Sequence, residues 1–299
     1  MSIIKSIYRT LIPESIRLKV FRSKQRKSDN VIKNKILSYY SDNLTIDAEI
    51  IEGLNFLKKN SISVFPYDFF LTYKNKPVEV KTDSGCRLPY VIHADKKLYF
   101  KKSWTNEHII EAYRFLLAEQ DAKSGHCYLS DAYDISPNST VVDVGAAEGI
   151  FALHKIESIK HIYLIETDLE WIEALNETFK PWKEKITIIN KFVSDKDDNH
   201  NLKLDTYFKD FEKIDFLKID VDGAEQNLIN GAELVISSKV DKLAICTYHK
   251  THDNRDFTKY LAEKKYSVMN SSGYMLFYFD PNFEPPYFRR GLIKAQKNY

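Results

Sequence analysis

Three carboxylates, Asp220, Asp222 and Glu225, fall within six residues of the run Phe216-Leu217-Lys218-Ile219-Asp220-Val221-Asp222-Gly223-Ala224-Glu225. Acids this close raise one another's pKa or hold a cation, and both outcomes serve chemistry. His249 closes the next apolar run, Cys246-Thr247-Tyr248-His249. Two arrangements fit these residues. In one, His249 is a general base whose ring is oriented by Asp220 or Glu225. In the other, Asp220 and His249, with Asp222 or Glu225, hold Mg²⁺ or Mn²⁺, which lowers the pKa of a hydroxyl. Magnesium prefers oxygen ligands, which tilts the reading slightly toward the metal-free base. The plain structural alternative is an acid-rich helix start with Asp222 as N-cap.

A second constellation lies upstream. Val141-Val142-Asp143-Val144-Gly145-Ala146-Ala147-Glu148-Gly149 passes from an apolar run into small residues, which let the chain turn tightly and a ligand approach the backbone. Glu166 ends the following run, 21 residues after Gly145. An acid at that separation takes the ribose hydroxyls of a nucleoside cofactor. Thr167 follows it. Trp171 is either a cover for an adenine face or core, and Val193 and Ser194 at the end of the third run complete the cofactor set. Charge chooses between cofactors. A carboxylate at 148 repels a diphosphate, whereas Asp143 and Glu148 suit the sulfonium and ammonium of S-adenosylmethionine. A nicotinamide oxidoreductase on the same sheet stays as the alternative.

In an open α/β sheet, ligands sit outside the carboxyl ends of the strands. Apolar runs at Thr140–Val144, His161–Ile165, Ile186–Val193, Ile214–Ile219 and Lys242–Tyr248 alternate with helical stretches. That rhythm predicts a mostly parallel α/β sheet covered on both faces. Tyr266–Met269 and Tyr274–Phe279, around Ser271-Ser272-Gly273, read as an antiparallel closing edge. Pro285-Pro286 then ends the sheet. Phe288-Arg289-Arg290-Gly291 reads as a tail, its guanidinium groups either meeting a phosphate on the acceptor or staying solvated. Ahead of the sheet, residues 31–60 read as helices. Short β-like runs follow at Val64–Tyr73, Val78–Lys81, Leu88–His93 and Lys97–Lys101, and then a helix from Asn106 to Gln120.

The 299 residues are 43% hydrophobic and 29% charged, the composition of a globular chain, and no apolar run reaches the roughly 18 residues of a membrane span. Three cysteines without C-x-x-C spacing argue against a disulfide scaffold or zinc ribbon and for a reducing cytoplasm. Residues 1–27 carry eight basic residues against one acid, a charge of +7 that leaves −5 for residues 28–299. An acidic body disfavours a broad nucleic-acid face. The basic segment is read either as a peripheral contact with the inner face of the membrane or as a solvated arm.

Phe216–Ala232, reading FLKIDVDGAEQNLINGA, together with Val141–Gly149 and the YLIETD of Tyr163–Asp168, resembles the FkbM-type S-adenosylmethionine-dependent methyltransferases, over about residues 119–280. Ala147 stands where that family more often has Asn or Gly, and Asp222 where Glu is commoner. The resemblance implies a Rossmann-like class I methyltransferase sheet with an antiparallel last strand, and S-adenosylmethionine as cofactor. It also implies a hydroxyl of a saccharide or glycoconjugate as acceptor, in surface-polysaccharide biosynthesis. Ser124–Tyr128 looks like a substrate edge, so His126 and Tyr128 join Asp222, Arg289 and Arg290 as acceptor-binding candidates. Pro285-Pro286-Tyr287 is similar to a motif of amino-methylating enzymes, but it does not follow the fourth strand, which favours oxygen over nitrogen as acceptor. The expected organisation is an arm over 1–30, a helical and antiparallel β extension capping the substrate over 31–118, and a methyltransferase domain over 119–299. A non-catalytic scaffold has no need of the clustered Asp220, Asp222, Glu225 and His249.

Overall fold

The computed structural model describes residues 14–298, with side chains from residue 27 onward. Residues 1–13 of the expected basic arm, and the side chains through residue 26, lie outside the described residues, and the expected membrane contact lies there with them. Among those described, no helix is long and apolar enough to cross a membrane. The described residues divide into two compact units, residues 14–67 with 276–288, and residues 68–275 with 289–298. Residues 68–118 cluster with the sheet in the second unit.

The first unit contains α1 (Glu14–Asp42) and α2 (Ala48–Lys59). Asp47 caps α2 by accepting from the N–H groups of Glu49 and Ile50 at 2.9 and 3.2 Å. The segment 276–288 returns to these helices. The Leu276 N–H donates to the Val64 carbonyl at 2.9 Å, and the Tyr40 hydroxyl to that of Pro286 at 2.6 Å. A Cβ on Gly53 would sit 2.5 Å from the Phe288 ring, so only glycine lets that ring in. This packing is why the strand expected over Tyr274–Phe279 stops early.

The second unit opens with α3 (Asp68–Lys74), where a strand was expected over Val64–Tyr73. Asp68 in its first turn and Lys74 in its last complement the helix dipole, and Phe70 packs edge-on against Phe115 at 6.2 Å. A three-stranded antiparallel sheet follows, β1 (Lys81–Thr82), β2 (Pro89–His93) and β3 (Lys96–Tyr99), and then α4 (Asn106–Glu119), capped by Thr105.

The remaining elements are β4 (Thr140–Val144), α5 (Ile150–Lys155), β5 (His161–Ile165), α6 (Leu169–Thr178), β6 (Ile186–Ile189), β7 (Phe192–Val193), β8 (Asn201–Leu202), α7 (Leu204–Tyr207), β9 (Ile214–Ile219), α8 (Glu225–Asn230), α9 (Glu233–Ser238), β10 (Val240–Cys246), α10 (Asp253–Glu263), β11 (Tyr266–Asn270), β12 (Tyr274–Met275), β13 (Arg289–Arg290) and β14 (Leu292–Lys297). The main sheet runs β11-β14-β10-β9-β4-β5-β6, and β14 alone is antiparallel to its neighbours. This corrects the expected closing edge. Tyr274–Met275 leaves the sheet to pair with Arg289–Arg290, and β14 slots between β10 and β11. Pro285-Pro286 thus precedes the last strand instead of ending the sheet. Inserting β14 buries Ile293 and Ala295 in a core shared with Val142, Val144, Leu217, Ile219, Leu243 and Ile245.

After β4 the chain builds β5 and β6 on one side, then crosses back to lay β9 on the other. The order reverses between β4 and β9, and such a switch point opens a crevice at the carboxyl ends.

Candidate active site

Val144 pairs with Ile219 across β4 and β9, so Gly145 and Asp220 leave the sheet side by side. A Cβ on Gly145 would lie 1.8 Å from the Asp220 carbonyl oxygen, and its φ of +77° is left-handed. Both facts demand glycine. At the other end of the turn, Gly149 (φ +81°) begins α5 against Leu175, which a Cβ would approach to 2.7 Å. Ala146 is buried between them, and Ala147 adopts φ +45°. Glu166 ties this turn to the end of β5. Its Oε2 accepts the Ala147 N–H at 2.9 Å, and its Oε1 accepts those of Thr167 and Asp168 at 2.6 and 2.9 Å. Asn190, which sequence reasoning missed, braces the same corner by donating to the Glu166 and Thr167 carbonyls at 3.0 and 3.1 Å.

Other expected cofactor contacts are placed differently. Asp143 is fully buried beside Lys218, whose Nζ lies 2.7 Å from Asp143 Oδ1 and 2.9 Å from the Gly145 carbonyl. Burial opposes the lysine's charge, but Asp143 and Asp220 outweigh it and raise its pKa. Asp143 therefore acts through Lys218 on the glycine turn. The pair was readable in the sequence, as single charges inside the runs VVDV and FLKI, which prove to be opposite one another in register. Trp171 packs on Trp104 (centroids 5.0 Å apart) with Lys101 Nζ 4.7 Å over its ring, which is a core placement. Val193 belongs to the core, and Ser194 Oγ lies 3.3 Å from Asn201 Oδ1.

Glu148 is buried, and its Oε1 accepts the Ile150 N–H at 3.4 Å. The open carboxylate expected to repel a diphosphate is not there. Burial first, and Glu119 after it, raise the Glu148 carboxyl from 4.5 to about 7. The folded chain thus keeps a proton that the unfolded chain releases near 4.5. Stability from this group is full below that value, is lost as pH rises through about 7, and is flat beyond. Glu148→Gln is expected to flatten the dependence of denaturation midpoint on pH between about 4.5 and 7, with a gain of up to about 3 kcal/mol at the upper end.

Asp220 is the hub of the site. Tyr128, with its hydroxyl donating to Asp220 Oδ2 at 2.7 Å, and His126, with Nε2 3.4 Å from the same oxygen, approach it from the loop after α4. Burial pushes the Asp220 carboxyl up, but His126, Lys218 and His249 hold it well below the usual range. Burial lowers His126, and Glu119 and Asp220 more than reverse this, so its pKa is raised. On the opposite side, His249 Nδ1 lies 2.9 Å from Glu225 Oε1, while Nε2 lies 3.6 Å from Asp222 Oδ1 and 3.9 Å from Asp220 Oδ1. Burial lowers His249, but Asp222 and Glu225 lift it to about 10. That shift favours the protonated imidazole.

The Glu225 carboxylate Oε1 accepts the N–H groups of Val221 and Gly223, both at 3.3 Å. Asp222 (φ +49°) is not an N-cap, since α8 starts after Ala224 with no side-chain cap. Arg289 is buried and donates to the Tyr248 and His249 carbonyls at 2.9 and 2.8 Å. Arg290 stacks on Tyr274 with Cζ 3.8 Å from the ring centroid. Neither arginine belongs to a solvated tail. Arg289 shapes the loop that carries His249.

A mostly parallel seven-stranded sheet, one antiparallel strand beside its edge, a glycine turn at the switch point and an acid closing the second strand define a Rossmann-like class I methyltransferase fold. Residues 174–276 match the family model described as the Methyltransferase FkbM domain. The match includes Asp220, Glu225 and His249, and begins after the glycine turn and Glu166. Among solved structures, the chain is similar to the methyltransferase FkbM of Methylobacillus flagellatus at 20% identity and TM-score 0.46, covering 63% of this chain and 52% of that one. It therefore spans about half the length of that structure. It is also similar to an rRNA methylase of Streptococcus thermophilus (16% identity, TM-score 0.39, 55% and 90% covered) and to TrmK of M. capricolum in complex with S-adenosylhomocysteine (15%, 0.37, 57% and 70%). No curated protein matches the sequence.

Proposed function

We propose that the protein is an S-adenosylmethionine-dependent O-methyltransferase acting on a hydroxyl of a saccharide or glycoconjugate. The observation that carries this reading is the meeting, at one switch point, of the glycine turn tied to Glu166 with the Asp220–His249–Glu225 cluster. The turn is built of small residues that a ligand could approach closely, Glu166 would offer ribose hydroxyls the lone pairs that its bonds to the Ala147, Thr167 and Asp168 N–H groups leave, and Asp220 would supply negative charge for a cationic ligand. When bound, S-adenosylmethionine supplies an electrophilic methyl on a sulfonium. As the oxygen–methyl bond formed and the sulfur–methyl bond broke, the hydroxyl proton would have to pass to a group at the site, and His249 is the imidazole beside Asp220 that would take it. Glu225 fixes the His249 ring so that Nε2 faces the Asp220–Asp222 side. A cationic ligand beside Asp220 draws on the carboxylate that helps His249 hold its proton, which moves the imidazole toward accepting one. The acidic body, −5 over residues 28–299, supports a saccharide over a nucleic acid as acceptor.

Glu166→Ala removes charge-assisted hydrogen bonds of about 1.5–3 kcal/mol, so donor affinity is expected to fall about ten- to a hundredfold by calorimetry. Unchanged affinity would remove the ribose assignment. The function itself is tested by mass spectrometry of oligosaccharides and sugar nucleotides incubated with the protein. The expected product gains a single methyl, only when S-adenosylmethionine is present. Oxidation of an acceptor with NAD, and no methyl gain, would overturn the reading.

A further inference from the structure

We infer that His126, Asp220 and Cys246 form a binding site for a zinc ion, one that goes beyond the methyl-transfer reading and shares Asp220 with it. Ile219 pairs with Ile245 across β9 and β10, so Asp220 and Cys246 leave neighbouring strands side by side. The loop after α4 brings His126 to the same point. Its ring packs edge-on against Tyr128, centroids 5.0 Å apart, and lies 5.4 Å from that of Tyr248. Its backbone N–H donates to the buried Ser124 hydroxyl at 3.1 Å. His126 and Cys246 are 3% and 0% exposed. One donor atom from each of the three residues lies within 4.8 Å of the other two.

His126 Nε2 stands 3.4 Å from Asp220 Oδ2 and 3.6 Å from Cys246 Sγ. A charge-assisted N–H···O bond is about 2.7–2.9 Å long, so the first gap is wide for a hydrogen-bonded pair. Around a tetrahedral zinc ion, a nitrogen and an oxygen each about 2.0–2.1 Å away stand about 3.4 Å apart, and a nitrogen and a sulfur about 3.6 Å apart. Both gaps fit that shell. The imidazole is also committed to it. Its Nδ1 is buried with no hydrogen-bond partner among the described residues, and the ring's contacts with Asp220, Cys246 and Tyr128 all run through Nε2. Asp220 Oδ2 accepts the Tyr128 hydroxyl at 2.7 Å, the outer support that a metal-bound carboxylate ordinarily has. The Asp220 carboxylate and a Cys246 thiolate balance a doubly charged ion, while Lys218 keeps its own partner in Asp143 at 2.7 Å. Nitrogen, oxygen and sulfur together suit zinc and exclude magnesium, which takes oxygen. Three protein ligands leave a fourth position for water, and Asp220, its side chain 20% exposed, is the least buried of the three.

The test is titration of the untagged full chain with Co²⁺, a spectroscopic stand-in for zinc, followed by displacement with Zn²⁺. The expected result is one equivalent bound, with a thiolate-to-cobalt charge-transfer band in the near ultraviolet that Zn²⁺ abolishes. Cys246→Ser should lose the band. His126→Gln should weaken binding more than about 100-fold, beyond the cost of losing an outer support. Cys86→Ser should keep the band, since Cys86 is outside the cluster. The two ligand variants are read separately, so if one does not fold the other still decides. No thiolate band in the wild-type chain, a band that survives in Cys246→Ser, or unchanged affinity in His126→Gln would overturn the proposal. No arm uses a methyl donor, so failure of the methyl-transfer reading would leave this result unaffected.

Discussion

Asp220→Asn is expected to lower turnover about 10²–10⁴-fold while the protein still folds. Asparagine keeps the shape of the side chain and can still accept the Tyr128 hydroxyl, so the packing around it is preserved. Lys218 retains Asp143 at 2.7 Å, and no buried cation is left alone. What is lost is the negative charge that His126, Lys218 and His249 all face. Without it, a cationic methyl donor and any proton held at His249 lose their shared counterion. The loss should fall on both kcat and donor affinity, with Glu166 and the glycine turn keeping part of the donor's binding. A second signature is separable from plain misfolding. The pH profile of whatever activity remains should shift downward, since a histidine relieved of a neighbouring carboxylate releases its proton sooner. Wild-type kcat in Asp220→Asn would remove Asp220 from the reaction.

Gly145→Ala is expected to be the most destabilising single methyl in the site. The new Cβ would stand 1.8 Å from the Asp220 carbonyl oxygen, a backbone atom held by β9 that has no rotamer to give. The left-handed φ of +77° adds its own strain. Overpacking and backbone strain are each about 1–3 kcal/mol, and together they threaten most of a domain's marginal stability. Gly223→Ala is the control. Gly223 shares a positive φ of +91°, but its nearest neighbour is 3.7 Å from the added carbon, so strain alone should cost about 1 kcal/mol. Chemical denaturation of the two variants checks the contrast, and equal midpoints would mean that the β4 and β9 ends are not held as close as described.

Much of this fold is legible in the sequence because its central strands are buried on both faces. Thr140–Val144, His161–Ile165 and Ile214–Ile219 read as mainly apolar runs between turn residues, and all three form strands with those bounds. β14 escaped because Lys294, Gln296 and Lys297 break its pattern, and because residues 276–288 separate it from the strands before it by an excursion into the other unit. α3 escaped because an aromatic-rich run suits a strand as well as it suits a short helix. In the site, the positions of Gly145, Glu166, Asp220 and His249 follow from strand ends alone. Their charges do not. The burial of Glu148 and the protonation of His249 depend on Glu119, Asp222 and Glu225, neighbours that the chain brings together only on folding. The Arg289 guanidinium could not be placed without β14, since it is the strand after it that draws residues 289–290 under the His249 loop.

Calorimetric titration of the intact chain with S-adenosylmethionine and, separately, with NAD asks directly whether the β4–β9 crevice is a methyl-donor site. Saturable binding of S-adenosylmethionine, weakened in Glu166→Ala, with no heat from NAD, is the expected outcome. Binding of NAD that Glu166→Ala weakens, with none of S-adenosylmethionine, would contradict it.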